Sequence, residues 1–111
     1  MYNDIMNEID IMEQALRELG IRGKKFANAE MDYKIAMRVE ILRLRDEKKP
    51  ATLILQLCYG TPSIATLRFE RDLAETMYKS ALEAINVKKL KVRVMENQYA
   101  REWSNTKGLW Q

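Results

Sequence analysis

A chain of 111 residues is one domain by length, with room for a single modest core. Glycine (4) and proline (2) are scarce while 32% of the residues are charged, a balance that favours helix over sheet or disorder. A formal charge of +3 predicts solubility rather than nucleic-acid binding, one cysteine excludes an internal disulfide, and the lack of histidine removes the commonest general base and metal ligand.

Asn3 is placed to cap a first helix over about 4–19, where Ile5, Ile9, Met12, Leu16 and Leu19 alternate steps of four and three. The following GIRGKK carries two glycines in four residues, a turn signal that predicts a hinge or tight corner. A second helix is expected over about 26–48. Phe26, Ala29, Tyr33, Ala36, Met37 and Leu44 fall on one side of it, and Met31, Ile35, Val39 and Leu42 on the other. Two opposed apolar stripes predict a sandwiched helix, which makes Met31, Ile35, Val39 and Leu42 candidate partner contacts and motivates a homodimer.

Lys49-Pro50 closes that helix, and ATLILQLCYG predicts a short third one over about 51–59, with Gly60 as a left-handed terminator. Thr61-Pro62 then pairs a capping hydroxyl with proline at the first helical position. With no glycine or proline from Ser63 to Lys107, a fourth helix is expected over about 62–104. Its seam falls at 64, 67, 71, 74, 78, 81, 85, 88, 92, 95, 99 and 102, interrupted by Arg71, Lys88 and Glu102. Residues 105–111 form a tail whose Trp110 is a further candidate partner contact.

The octets AEMDYKIA (29–36) and AETMYKSA (74–81) share Ala, Glu, Tyr, Lys and Ala at the same offsets. Ala29, Tyr33 and Ala36, like Ala74, Tyr78 and Ala81, stand four and three apart on one helical stripe, so each triplet reads as a packing motif. Facing one another antiparallel, they would set Tyr33 near Tyr78 and Lys48 opposite Pro62. Continued, the same register sets Leu19 near Val92, Leu16 near Met95 and Met12 near Tyr99.

No residue pattern calls for catalysis, a metal or a cofactor. One cysteine cannot build a zinc site, and Gly20, Gly23 and Lys24 lack the strand that a phosphate-cradling loop needs before it. Cys58, among Leu53, Leu57 and Tyr59, reads as a small buried hydrophobe. Glu70, Asp72 and Glu75 neighbour Arg68 and Arg71 and read as a salt-bridged face. The stretch 52–69 has a glycine between two helical runs, as in a helix-turn-helix, but its second helix is too long and carries Glu70 and Asp72 near its start. Basic residues without matching acids gather at Arg22, Lys24 and Lys25, at Lys48 and Lys49, and at Lys88, Lys89, Lys91 and Arg93. A nucleic-acid partner would be met by the last group, with Arg43, Arg45, Lys48 and Lys49 as further candidate contacts.

The run NAEMDYKIA, then KPATLILQLCYG, then LRFERDLAETMYKSALEAINVKKLKVRVMENQYAREW resembles small helical proteins of unknown function from phages and prophages of Gram-positive bacteria. The resemblance implies a small accessory protein acting on host or phage machinery, and it transfers no functional residues. No apolar run approaches the ~20 residues a membrane span needs, and MYNDIMNEID does not read as a secretory signal, so the cytoplasm of the bacterial host is the expected location. The expected fold is all-α: an elongated antiparallel helical hairpin with a long C-terminal helix, a short connecting helix and an N-terminal helical arm. The expected function is a non-enzymatic, homodimeric interaction protein, with inhibition of a host or defence enzyme as one use. A nucleic-acid-binding accessory factor is the alternative.

Overall fold

The computed structural model describes residues 1–108. Among them the chain is all-α: α1 (Tyr2–Asp46), the short α2 (Ile54–Gly60) and the long α3 (Pro62–Gly108). It divides into two compact units, one of Met1–Gly20 with Lys79–Gln111 and one of Ile21–Tyr78. None of the described helices is long and apolar enough to cross a membrane.

The helices expected over 4–19 and 26–48 are one helix, and the corner expected at GIRGKK does not exist. Two glycines cost a helix only about 1 kcal/mol each, which a continuous packing seam outweighs. That seam runs unbroken through Leu19, Arg22, Gly23 and Phe26, all at least half-buried. The signal is masked in the sequence because Glu8, Ala15 and Arg22 occupy seam positions that an apolar count passes over. Leu16, expected on the seam, is exposed, and Ala15 is the half-buried residue at that turn.

In the unit Ile21–Tyr78, the second half of α1 runs antiparallel to the first third of α3, and Tyr33, Leu44, Ile54, Cys58, Ile64 and Ala74 are buried. The register differs from the one in which the tyrosines face each other. Tyr78 lies against Phe26, with ring centroids 6.1 Å apart, and covers Gly23, where a Cβ would sit 3.3 Å from its ring. Tyr33 instead lies beneath the Arg71 guanidinium, 4.6 Å from its ring centroid. Phe26 precedes Tyr33 by two turns, and a seam of period 3.5 looks alike after such a slip. Size decides between the registers: a tyrosine fits over a glycine and beside one ring, where two tyrosines at one level would compete for the same space. Arg22 Nη1 donating to the Met77 carbonyl at 3.2 Å holds this register.

In the unit of Met1–Gly20 with Lys79–Gln111, Ile5, Ala81, Ile85 and Val92 are buried, Ile85 almost completely. Tyr99 meets Tyr2 at 6.4 Å between ring centroids, and Lys91 Nζ donates to Glu8 Oε1 at 2.9 Å. Met12 is therefore not the partner of Tyr99, the slip being in the same direction.

The end of α1 is set by a Schellman motif. The Lys49 N–H donates to the Leu44 carbonyl and the Lys48 N–H to that of Arg45, with Lys48 in the left-handed region at φ 59° and Pro50 following. α2 starts at Ile54 rather than 51 and packs Ile54 and Cys58 on Leu44, with Met37 and Ile41 alongside. Gly60 does not terminate it in a left-handed conformation, since no described glycine has positive φ. Thr61 does the work instead. Its backbone is extended, its N–H donates to the Cys58 carbonyl, and its hydroxyl donates back to the Leu57 carbonyl at 2.9 Å rather than capping α3. Its own carbonyl accepts the Ala65 N–H, so α3 begins with Pro62 in its first turn.

Candidate interaction surface

Ala29, Tyr33, Ala36, Ala74, Tyr78 and Ala81 all lie on the packed sides of their helices: Tyr33, Ala74 and Ala81 are buried and the other three half-buried. Among the described residues no group of three or more His, Cys, Asp or Glu side chains could hold a metal ion. Cys58 is fully covered, and that burial pushes its thiol above the ordinary value, away from the thiolate.

Several charged groups along the helices are engaged with one another. The Lys91 hydrogen bond holds the Glu8 carboxyl below the usual range, with its Oε2 buried and unpartnered. Arg43 bonds both Glu40 and Glu47, and its hydrogen bond to Glu40 lowers that carboxyl in turn. Arg71 holds Asp72 at 2.8 Å and reaches Glu30 at 3.6 Å. Of the candidate nucleic-acid contacts, Lys91 and Arg43 are thus neutralised and Lys88 is half-buried. Lys89, Arg93, Arg45, Lys48 and Lys49 are exposed, and no ion pair holds them among the described residues.

The apolar side chains that are left in water form a pattern. Met31, Ile35, Val39 and Leu42 are 53%, 57%, 61% and 46% exposed, on one outward stripe of α1. Trp110 lies outside the described residues. α3 carries stripes that reading its seam alone misses. Phe69 and Leu73 follow Leu67 and Arg71 by two residues, and Val87, Leu90 and Val94 follow Ile85, Lys88 and Val92 by two. Two residues turn a helix by about 200°, so each of these five points away from the seam, and all five are exposed. Their signal was present in the sequence as a second 3.5-residue repeat displaced by two positions. A shallow depression beside Val94 is lined by Asn97, Ala100 and Arg101 and offers no nucleophile or acid.

Comparison with protein-family models, curated proteins and solved structures finds no match.

Proposed function

We propose that this chain is a non-enzymatic accessory protein of a phage or prophage, working in the bacterial cytoplasm by docking its outward apolar helical faces on other proteins. Inhibition of a host or defence enzyme is one such use. The observation that carries the reading is the outward stripe of α3, Val87, Leu90 and Val94, each more than half exposed and spaced three and four apart as helix-in-groove anchors are. The pairing of Glu8 with Lys91 and of Glu40 with Arg43 lowers both carboxyls and favours their ionised form, as structural ion pairs do. The immobilised chain, compared with a Leu90→Glu/Val94→Glu variant in bacterial lysate, tests the proposal. A protein retained by the first and lost by the second supports it, and identical retention by both ends it.

A second reading, a nucleic-acid-binding factor, draws on the exposed Lys89, Arg93, Arg45, Lys48 and Lys49. Phosphate contacts release counterions, so this reading requires binding at low salt that falls steeply as salt rises. A gel-shift series without any shifted band at low salt removes it.

A further inference from the structure

The face of α1 centred on Ile35 is complementary to its own reverse at its centre, with Asp32 and Arg38 set symmetrically about Ile35, and we infer that it is the dimerisation surface for a second copy of this chain. This rests on reading the protein as an interaction module, and assigns an occupant to one of its faces. α2 covers only one flank of the hairpin in the unit Ile21–Tyr78, where Met37, Ile41 and Leu44 lie beneath it. Ile35, Val39 and Leu42 each stand two residues from a residue of the packed side, Tyr33, Met37 or Glu40, and so project from the opposite flank. In an antiparallel pair the same flank of the second helix faces the same way, and there α3 presents the exposed Leu73.

Consider two copies of α1 crossing antiparallel with Ile35 on the twofold axis. Ile35 meets its own copy, Met31 meets Val39, Asp32 meets Arg38 and Asn28 meets Leu42, each contact made twice by symmetry. The other six residues stand three, four or seven positions from Ile35, so they share one face with it. Asp32 and Arg38 are exposed, and neither takes part in an ion pair among the described residues. Their neighbours one turn away on α1 explain why: Asn28, Ala29, Ile35 and Ala36 for Asp32, and Lys34, Ile35, Ile41 and Leu42 for Arg38. An acid and a base without partners, placed symmetrically about an apolar centre, are complementary to a second copy of themselves. Farther out, Lys25 would meet Arg45, a like-charged pair that marks where the two helices part.

The area is sufficient. Met31, Ile35, Val39, Leu42 and Leu73 are each roughly half exposed. At on the order of 100 Å² apiece they supply about 500 Å² per copy, or about 1,000 Å² for the pair before Asp32 and Arg38 are counted, which reaches the ~1,000 Å² that a specific interface needs.

Sedimentation equilibrium on the full chain and its variants tests the register as well as the association. The wild type is expected at twice 13.1 kDa, and Ile35→Glu at the monomer mass with its helical circular dichroism retained. Asp32→Arg and Arg38→Glu should each weaken association about tenfold by setting like charges together, and the double exchange should restore it to within about threefold. An Ile35→Cys variant should form a disulfide-linked dimer on mild oxidation. A monomer that persists at high concentration overturns the inference, as does a double exchange no tighter than either single one or an Ile35→Cys chain that does not cross-link. A monomer that still captures a protein through Leu90 and Val94 would sink the dimer while leaving the interaction reading intact.

Discussion

Gly20 and Gly23 sit three residues apart in one helix and should respond to substitution in opposite ways. Nothing lies within 4 Å of a Cβ built on Gly20, so Gly20→Ala is expected to stabilise by about 0.5–1 kcal/mol through helix propensity alone. A Cβ at Gly23 comes within 3.3 Å of the Tyr78 ring. Gly23→Leu must therefore push that ring aside, at about 1–3 kcal/mol. Urea unfolding monitored by circular dichroism separates the two, and equal effects would mean that Tyr78 does not pack where it is placed here. Glu8 makes a pH-dependent contribution. Its carboxyl is held below the ordinary value by the Lys91 hydrogen bond, so its stabilisation is present above the unfolded value of about 4.3 and is lost as pH falls through the lower folded value. The urea midpoint of the wild type should fall more steeply below about pH 5 than that of Glu8→Gln; parallel curves would remove Glu8 from the account.

At the scale of the element, the continuity of α1 separates what the sequence discloses from what it conceals. The long α3 is legible because proline opens it and no breaker follows, and its seam residues from Ile64 to Met95 are buried or half-buried at each expected position. The end of α1 is legible too, since Lys49-Pro50 permits no further turn. The join through GIRGKK is not, because glycine signals a turn locally while the reason for keeping it in a helix, the ring of Tyr78, is contributed by a residue far along the chain. The register is hidden for a related reason: a heptad seam fits after a slip of two turns, and only the size of the facing side chains chooses. On the candidate surface, Met31, Ile35, Val39 and Leu42 are legible from α1 alone, whereas Phe69, Leu73, Val87, Leu90 and Val94 disappear when α3 is read only for its seam. Proline tests the continuity. Gly20→Pro removes a helical hydrogen bond and clashes with the preceding turn, so it should cost about 3 kcal/mol or more. Were residues 20–25 a corner, the same substitution would be nearly neutral in thermal unfolding.

At the scale of the molecule, few residues are sealed and many apolar ones are not. The described core comprises ten hydrophobic residues, three of them Ala or Cys, while the large apolar residues left exposed on the helices outnumber them. Two packed helices cannot cover a second apolar stripe on each, so a substantial share of the driving force for folding is unclaimed within a single chain. If a second copy claims it at Ile35, folding and association are linked, and the melting temperature must depend on concentration, because dilution favours the dissociated and unfolded chains. A tenfold rise in concentration adds about 1.4 kcal/mol to the unfolding of a dimer, which for a molecule of this combined length raises the midpoint by about 3–5 °C. Ile35→Glu should lose that dependence and melt lower at every concentration, whereas Gly20→Ala should keep the dependence and shift the whole series upward. Differential scanning calorimetry over two decades of concentration decides the matter: a wild-type midpoint that does not move with concentration would mean that each chain folds and melts alone.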